Sequence, residues 1–183
     1  MFSNQFSYLE IFKKSDQTIS ETHLDRWSSF LEKIPVDAPE FEKFKNLSLS
    51  LSANSENEFG SPELRFSYGQ IFQQNGDYKS ALDQYVFSDS GQECGEILIK
   101  IAKDDTNCEN EEKAYDLLQE YVYKFLCQGK YFAASHAVRI FIKKHVEPNS
   151  HPTANFLKFL VEACQKGLKD QFMVLVRKSL ERA

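Results

Sequence analysis

Apolar residues recur along this chain at spacings of three and four, with polar or turn-forming stretches between the runs. That is the signature of successive amphipathic helices. Phe2, Phe6, Leu9 and Phe12 predict a helix beginning almost at the first residue. Leu24, Trp27, Leu31 and Ile34 form the stripe of a second, with Thr18 and Glu21 at capping-box spacing ahead of it and Pro35 to Pro39 as its stop. Asp37 and Glu40 repeat the spacing before Phe41, Phe44 and Leu47. From Leu47 to Ser52 leucine and serine alternate, which suits a strand as well as a helix end. No partner strand is visible, so helix is the expectation.

Residues 60–90 predict two helices folded back on each other. Ser61 caps the first and Pro62 sits in its first turn, where a missing N–H costs nothing; Leu64, Tyr68 and Ile71 share a face. Asn75-Gly76 supplies the left-handed residue that ends it, and Asp77 caps a helix carrying Tyr78, Ala81, Leu82 and Tyr85. The pattern Gly-x-Tyr-x-x-Ala at Gly76, Tyr78 and Ala81 returns at Gly129, Tyr131 and Ala134. A small Ala admits a neighbouring helix, and the Tyr fills the space beside it. Recurrence of such a hairpin predicts stacked antiparallel helix pairs, a tetratricopeptide-like α-solenoid.

The remaining pattern extends this. A turn at Ser88-Asp89-Ser90-Gly91 precedes a short helix with Cys94, Leu98 and Ile101. Glu109, Glu111 and Glu112 open the next, where carboxylates oppose the macrodipole, and Ala114, Leu118, Tyr121 and Phe125 are its inner face up to Gly129. The helix from Tyr131 carries Ala134, Val138 and Phe141 and finishes in Lys143, Lys144 and His145. After an interruption from Val146 to Pro152, a helix opened by Ser150 and Pro152 runs through Phe156, Leu160 and Ala163 to a break at Gly167, and a last one runs through Phe172, Val176 and Leu180. The total is about ten helices of near-average length in one all-α domain spanning residues 1–183.

Composition narrows the function. With 42% hydrophobic residues, 16 Phe, 7 Gly and 5 Pro, the chain is apolar enough for helices packed by large rings. A formal net charge of −5 argues against nucleic acid as a partner, because phosphate backbones demand a basic face. Cys94, Cys108, Cys127 and Cys164 form no Cys-x-x-Cys pair, and reduced thiols in the cytosol are expected. Neither a signal peptide nor an apolar run long enough to span a bilayer is visible.

No catalytic pattern outweighs its plain structural explanation. Gly-x-Ser-x-Gly, Gly-x-Gly-x-x-Gly, a phosphate loop and His-Glu-x-x-His are all missing. His145 and His151 stand six apart across a Pro-containing loop, a poor zinc spacing, and His136 reads as a packed or surface residue. The expectation is a protein without enzymatic activity, cofactor or metal, whose chemistry is the surface it offers to other chains.

Five segments carry a resemblance. They are Gly60-Ser-Pro62-Glu-Leu64; Gly76-Asp-Tyr78-Lys-Ser-Ala81; Tyr85-Val-Phe87-Ser-Asp89-Ser-Gly91-Gln-Glu-Cys94; Tyr123-Lys-Phe125-Leu126-Cys127; and Asn155-Phe156-Leu157-Lys-Phe159-Leu160. In order and spacing they resemble the α-solenoid scaffold subunit of the guided entry of tail-anchored proteins pathway. The resemblance implies a non-enzymatic cytosolic scaffold that does not insert into membranes. It implies a targeting ATPase held at amino-terminal helices and a ubiquitin-like-domain adaptor held by the carboxy-terminal half. Adaptor contacts are expected at Phe141, His145, Val146, Phe156 and Phe159, beside the interruption. Family members are longer, so the amino-terminal helix pairs are expected to be lacking. Two other readings remain from the residues alone: a tetratricopeptide-like subunit of another complex, and a metal or hydrolase site built from scattered residues.

Overall fold

In the computed structural model, residues 9, 19–31, 33–103, 108–145, 151–168, 170, 172 and 174 are described, without the side chains of 108–111, 144 and 145. All regular structure among them is helical, in eight helices, with no strand. The first and last predicted helices lie outside the described residues except for Leu9, Asp170, Phe172 and Val174, which are helical. The chain divides into two compact units, Met1–Ser88 and Asp89–Ala183, with the division at the predicted Ser88–Gly91 turn.

The first unit contains α1 (Glu21–Leu31), α2 (Pro39–Ser52), α3 (Pro62–Gln74) and α4 (Tyr78–Phe87). Thr18 lies outside the described residues, and the start of α1 is organised by Ser20 instead. The Ser20 N–H donates to His23 Nδ1 at 3.2 Å, so His23 takes the place that Glu holds in a capping box. At α2 the predicted Asp37 cap does not form. Ala38 stands at the N-cap with no side-chain bond, and Pro39 in the first turn sets the helical φ.

The hairpin of α3 and α4 forms as the residues dictate. The Leu64 N–H donates to Ser61 Oγ at 3.3 Å, and the Ser80 N–H donates to Asp77 Oδ1 at 3.1 Å. Gly76 sits at φ +78°, which lets the Asp77 N–H reach back to the Phe72 carbonyl at 3.0 Å. Gly69 is buried on α3 because the Tyr85 ring of α4 lies over it; an added Cβ would meet Tyr85 Cε1 at 2.5 Å. Tyr85 then donates its hydroxyl to Gln73 Oε1 at 2.8 Å. Arg65 ties the hairpin's open end: Nε donates to the Phe59 carbonyl at 2.9 Å, Nη1 to Gln84 Oε1 at 2.8 Å, and the guanidinium lies over the Phe87 ring.

Both α1 and α2 pack against α3. Phe41 presents its ring edge-on to Tyr68 and Phe72, at 5.8 and 5.6 Å. The alternating segment is helical, and its serines show why the pattern misleads. Ser48 and Ser52 lie four apart on the buried face of α2, while Ser50 is exposed. The Ser48 hydroxyl donates back to the Lys45 carbonyl at 3.1 Å, which leaves its oxygen to accept from the Tyr68 phenol at 2.8 Å. The Ser52 hydroxyl likewise donates to the Leu49 carbonyl and accepts from the Ser61 N–H, at 3.2 and 2.9 Å. Small hydroxyls that satisfy themselves within the helix are the polar groups such an interface tolerates.

The second unit contains α5 (Gly91–Lys103), α6 (Cys108–Cys127), α7 (Tyr131–His145) and α8 (Pro152–Gln165). α7 is its axis and packs against the other three, most extensively against α5. Gly91 and Gly95, one turn apart on α5, face Ala133 and Ala137, one turn apart on α7. A Cβ on Gly91 would lie 2.0 Å from the Ala133 carbonyl oxygen, and one on Gly95 would lie 2.9 Å from that of Ala137. The two backbones therefore touch. The second Gly-x-Tyr-x-x-Ala pattern works only in part: Gly129 is left-handed at φ +72° and Ala134 is fully buried, but Tyr131 is 39% exposed and fills no interior space.

Two consequences are measurable. Gly91→Ala should destabilise the protein by about 3 kcal/mol or more, because backbone must move away from backbone. Gly76→Ala, with no atom within 4 Å of its Cβ, should cost only about 1 kcal/mol for the left-handed φ. Urea unfolding of both variants checks the contrast. In the first unit, Ser48→Ala strands a buried phenol and should cost about 2 kcal/mol, more than Tyr68→Phe, which leaves Ser48 bonded to Lys45. Burial pushes the Tyr68 phenol well above its ordinary value of 10.0. Stability from keeping it neutral is complete below that value and lost as pH rises above it, so Tyr68→Phe should flatten the alkaline arm of the stability profile.

Candidate partner-binding surface

Of the five positions expected to meet an adaptor, the structure places four on α7 and α8 and describes the side chains of three, Phe141, Phe156 and Phe159, which differ in exposure. α8 starts at Pro152, with His151 as an N-cap that makes no side-chain capping bond. The His151 ring instead stacks on Tyr115 of α6, with centroids 3.5 Å apart and planes 6° from parallel, which pins the entry of α8 to α6. Ser150, the expected opener, lies outside the described residues. Ala154, Leu157, Leu160, Val161 and Ala163 form the buried stripe. The helix stops where Gly167 turns left-handed and the Leu168 N–H reaches the Ala163 carbonyl at 2.9 Å.

Phe141 corrects the expectation of an available side chain. It is fully buried on α7, edge-on to Tyr115 at 5.2 Å, and supports the surface from beneath. Phe156 is half-buried. His145 is the last residue of α7, and its side chain, like the whole of Val146, lies outside the described residues. Among the described side chains of this set, Phe159 is the one that faces solvent, 55% exposed. It borders a cavity of about 520 Å³ with Ala163, Leu168 and Val174, the last also exposed. Leu168 and Val174 were missed by sequence reasoning. Gly167 reads there as a break, yet the turn it makes is the one that folds the following residue back onto the preceding helix.

The edge of this cavity is polar. Glu162 and Lys166, one turn apart, form an ion pair, and the hydrogen-bonded Lys166 ammonium holds the Glu162 carboxyl below its usual range. Cys164 is half-buried and its thiol is pushed up by burial, away from reactivity; Cys94 is buried and Cys127 exposed. Among the described residues no group of three or more His, Cys, Asp and Glu is placed to hold a metal ion, and no helix is long and apolar enough to cross a membrane. What this surface offers is an exposed ring beside an apolar recess, which suits an apolar side chain of another chain.

The model of the family described as Golgi to ER traffic protein 4 matches residues 5–179. No curated protein matches the chain.

Proposed function

We propose, since the chain belongs to the Golgi to ER traffic protein 4 family, that it is a non-enzymatic cytosolic scaffold in the targeting of tail-anchored membrane proteins to the endoplasmic reticulum. In this reading it holds a ubiquitin-like-domain adaptor through α7 and α8, while the targeting ATPase that the family resemblance implies is left to amino-terminal helix pairs this chain is expected to lack. The family match across residues 5–179 carries the proposal. The second unit supplies a physical means. Phe159 is presented by a helix whose opposite face is locked into the core, so little order remains to be lost when a partner buries the ring. Phe159 and Phe156, with His145 and Val146 at the adjoining interruption, are the proposed contacts, and Phe141 backs them.

Co-expression with the amino-terminal segment of a ubiquitin-like-domain adaptor should yield a complex that co-purifies at several salt concentrations. Phe159→Asp should weaken capture at least about tenfold with an unchanged melting temperature, because the ring contributes to docking and not to the core. Absence of co-purification at every salt would remove the adaptor reading. Recovery of an unrelated assembly in an unbiased pulldown would favour a subunit of another complex.

A further inference from the structure

A second recess lies between α7 and α8, on the other side of the Glu162–Lys166 ridge from Phe159. Its volume is about 550 Å³. Val138 and Ile142 on α7 and Val161 on α8 form an apolar floor, in which Ile142 is half-buried and the valines are buried. Arg139 and Lys143 rise along one wall and Lys158 along the other, all exposed. Lys158 lies within electrostatic reach of Glu162, one turn along α8, and Arg139 and Lys143 face the recess from α7. The recess has one acid, Glu162, which is already paired to Lys166.

A basic channel with an apolar floor is unexpected in a chain of net charge −5. With Lys166 already paired to Glu162, the cations of the recess outnumber its acids, and their mutual repulsion costs folding free energy. They are, however, complementary to a helix with apolar residues at i, i+3 or i+4 and i+7 and carboxylates flanking them. On α7, Ser135, Val138, Arg139, Ile142 and Lys143 follow the i, i+3, i+4, i+7, i+8 spacing, so the wall runs straight for about 12 Å, roughly two turns of a partner helix. The lysine and arginine stems extend the apolar walls while their heads stay in water. The cations line a cleft between helices, a shape that receives a helix and not a lipid surface.

We infer that this groove docks an acidic amphipathic helix of a partner protein, through a surface separate from the one at Phe159. The groove needs no ordering before it binds, and the acidic partner is steered into it over distances of about a Debye length, ~8 Å at physiological salt.

The test uses the full chain and two designed helical peptides of about 18 residues, long enough to hold a helix. One has leucines on one face flanked by glutamates; its counterpart carries lysines. Fluorescence anisotropy should show the glutamate peptide binding, with affinity falling as salt is raised, and the lysine peptide not binding. Arg139→Glu with Lys143→Glu should weaken the glutamate peptide at least about tenfold, since each reversal exchanges an attraction for a repulsion. Lys158→Glu on the opposite wall gives an independent check should the double variant fail to fold. Phe159→Ala, which removes the ring without adding charge beside Lys158, should leave peptide binding unchanged, so a failed adaptor interaction and a failed groove are distinguishable. Equal binding of both peptides, no binding of the glutamate peptide, or indifference to the wall reversals would overturn the inference. So would adherence to phosphatidylserine vesicles through these cations with no peptide binding.

Discussion

In the second unit, the contact that everything else depends on is backbone against backbone. Gly91 and Gly95 on α5 lie on the carbonyls of Ala133 and Ala137 on α7 with no side chain between. Helices that usually stand 8–10 Å apart come closer here because both contribute small residues at the crossing. This approach draws the larger groups around it inward: Cys94, Ile97 and Leu98 from α5, and Ala134, Val138 and Phe141 from α7, are all buried. Fixed on one side by α5, α7 can carry α8 on another, and the proposed binding surfaces of this unit are built on that pair.

The first unit solves the same problem with a different balance of sizes. Gly69 again removes a side chain, but a ring enters the space, that of Tyr85. Where α2 meets α3, serines occupy positions that Ala would otherwise take, and each carries a hydrogen bond from α3 or its cap. A hydroxyl interior of this kind is directional as well as close, because shifting α2 along α3 would leave the Tyr68 phenol and the Ser61 N–H without acceptors. Register is thus set by polar groups and close packing by apolar ones. Rigid supports of this type suit a protein whose proposed work is to hold others in place.

Much of the fold was legible because its signals are local. The Ser61 and Asp77 caps, the left-handed Gly76, Gly129 and Gly167, and the apolar stripes from Trp27 to Leu160 all follow from spacing and backbone preference. What escaped depends on a neighbour. Nothing in the spacing around Asp37 shows that Pro39 would start α2 without a side-chain cap, or that Tyr131 would stay outside while Tyr78 is half-buried. The pairs Gly91/Gly95 and Ala133/Ala137 each have a visible four-residue spacing, but only the fold places one against the other. The site was legible to the same extent. Helical periodicity marked Phe141 and Phe156, and the family resemblance added Phe159, without telling the buried ring from the exposed one, and the basic walls at Arg139, Lys143 and Lys158 are scattered in sequence until α7 and α8 bring them together.

The tips of the two helical hairpins carry a different consequence. At Gly76 and Gly129 the chain reverses through the same pattern of backbone hydrogen bonds, with open space where a side chain would stand. Nothing in the packed interior registers what is attached there. Extra residues, a fused domain or a fluorescent label spliced into either tip would hang outside the helix pairs, so these reversals are the places where the architecture can accept length without altering its contacts.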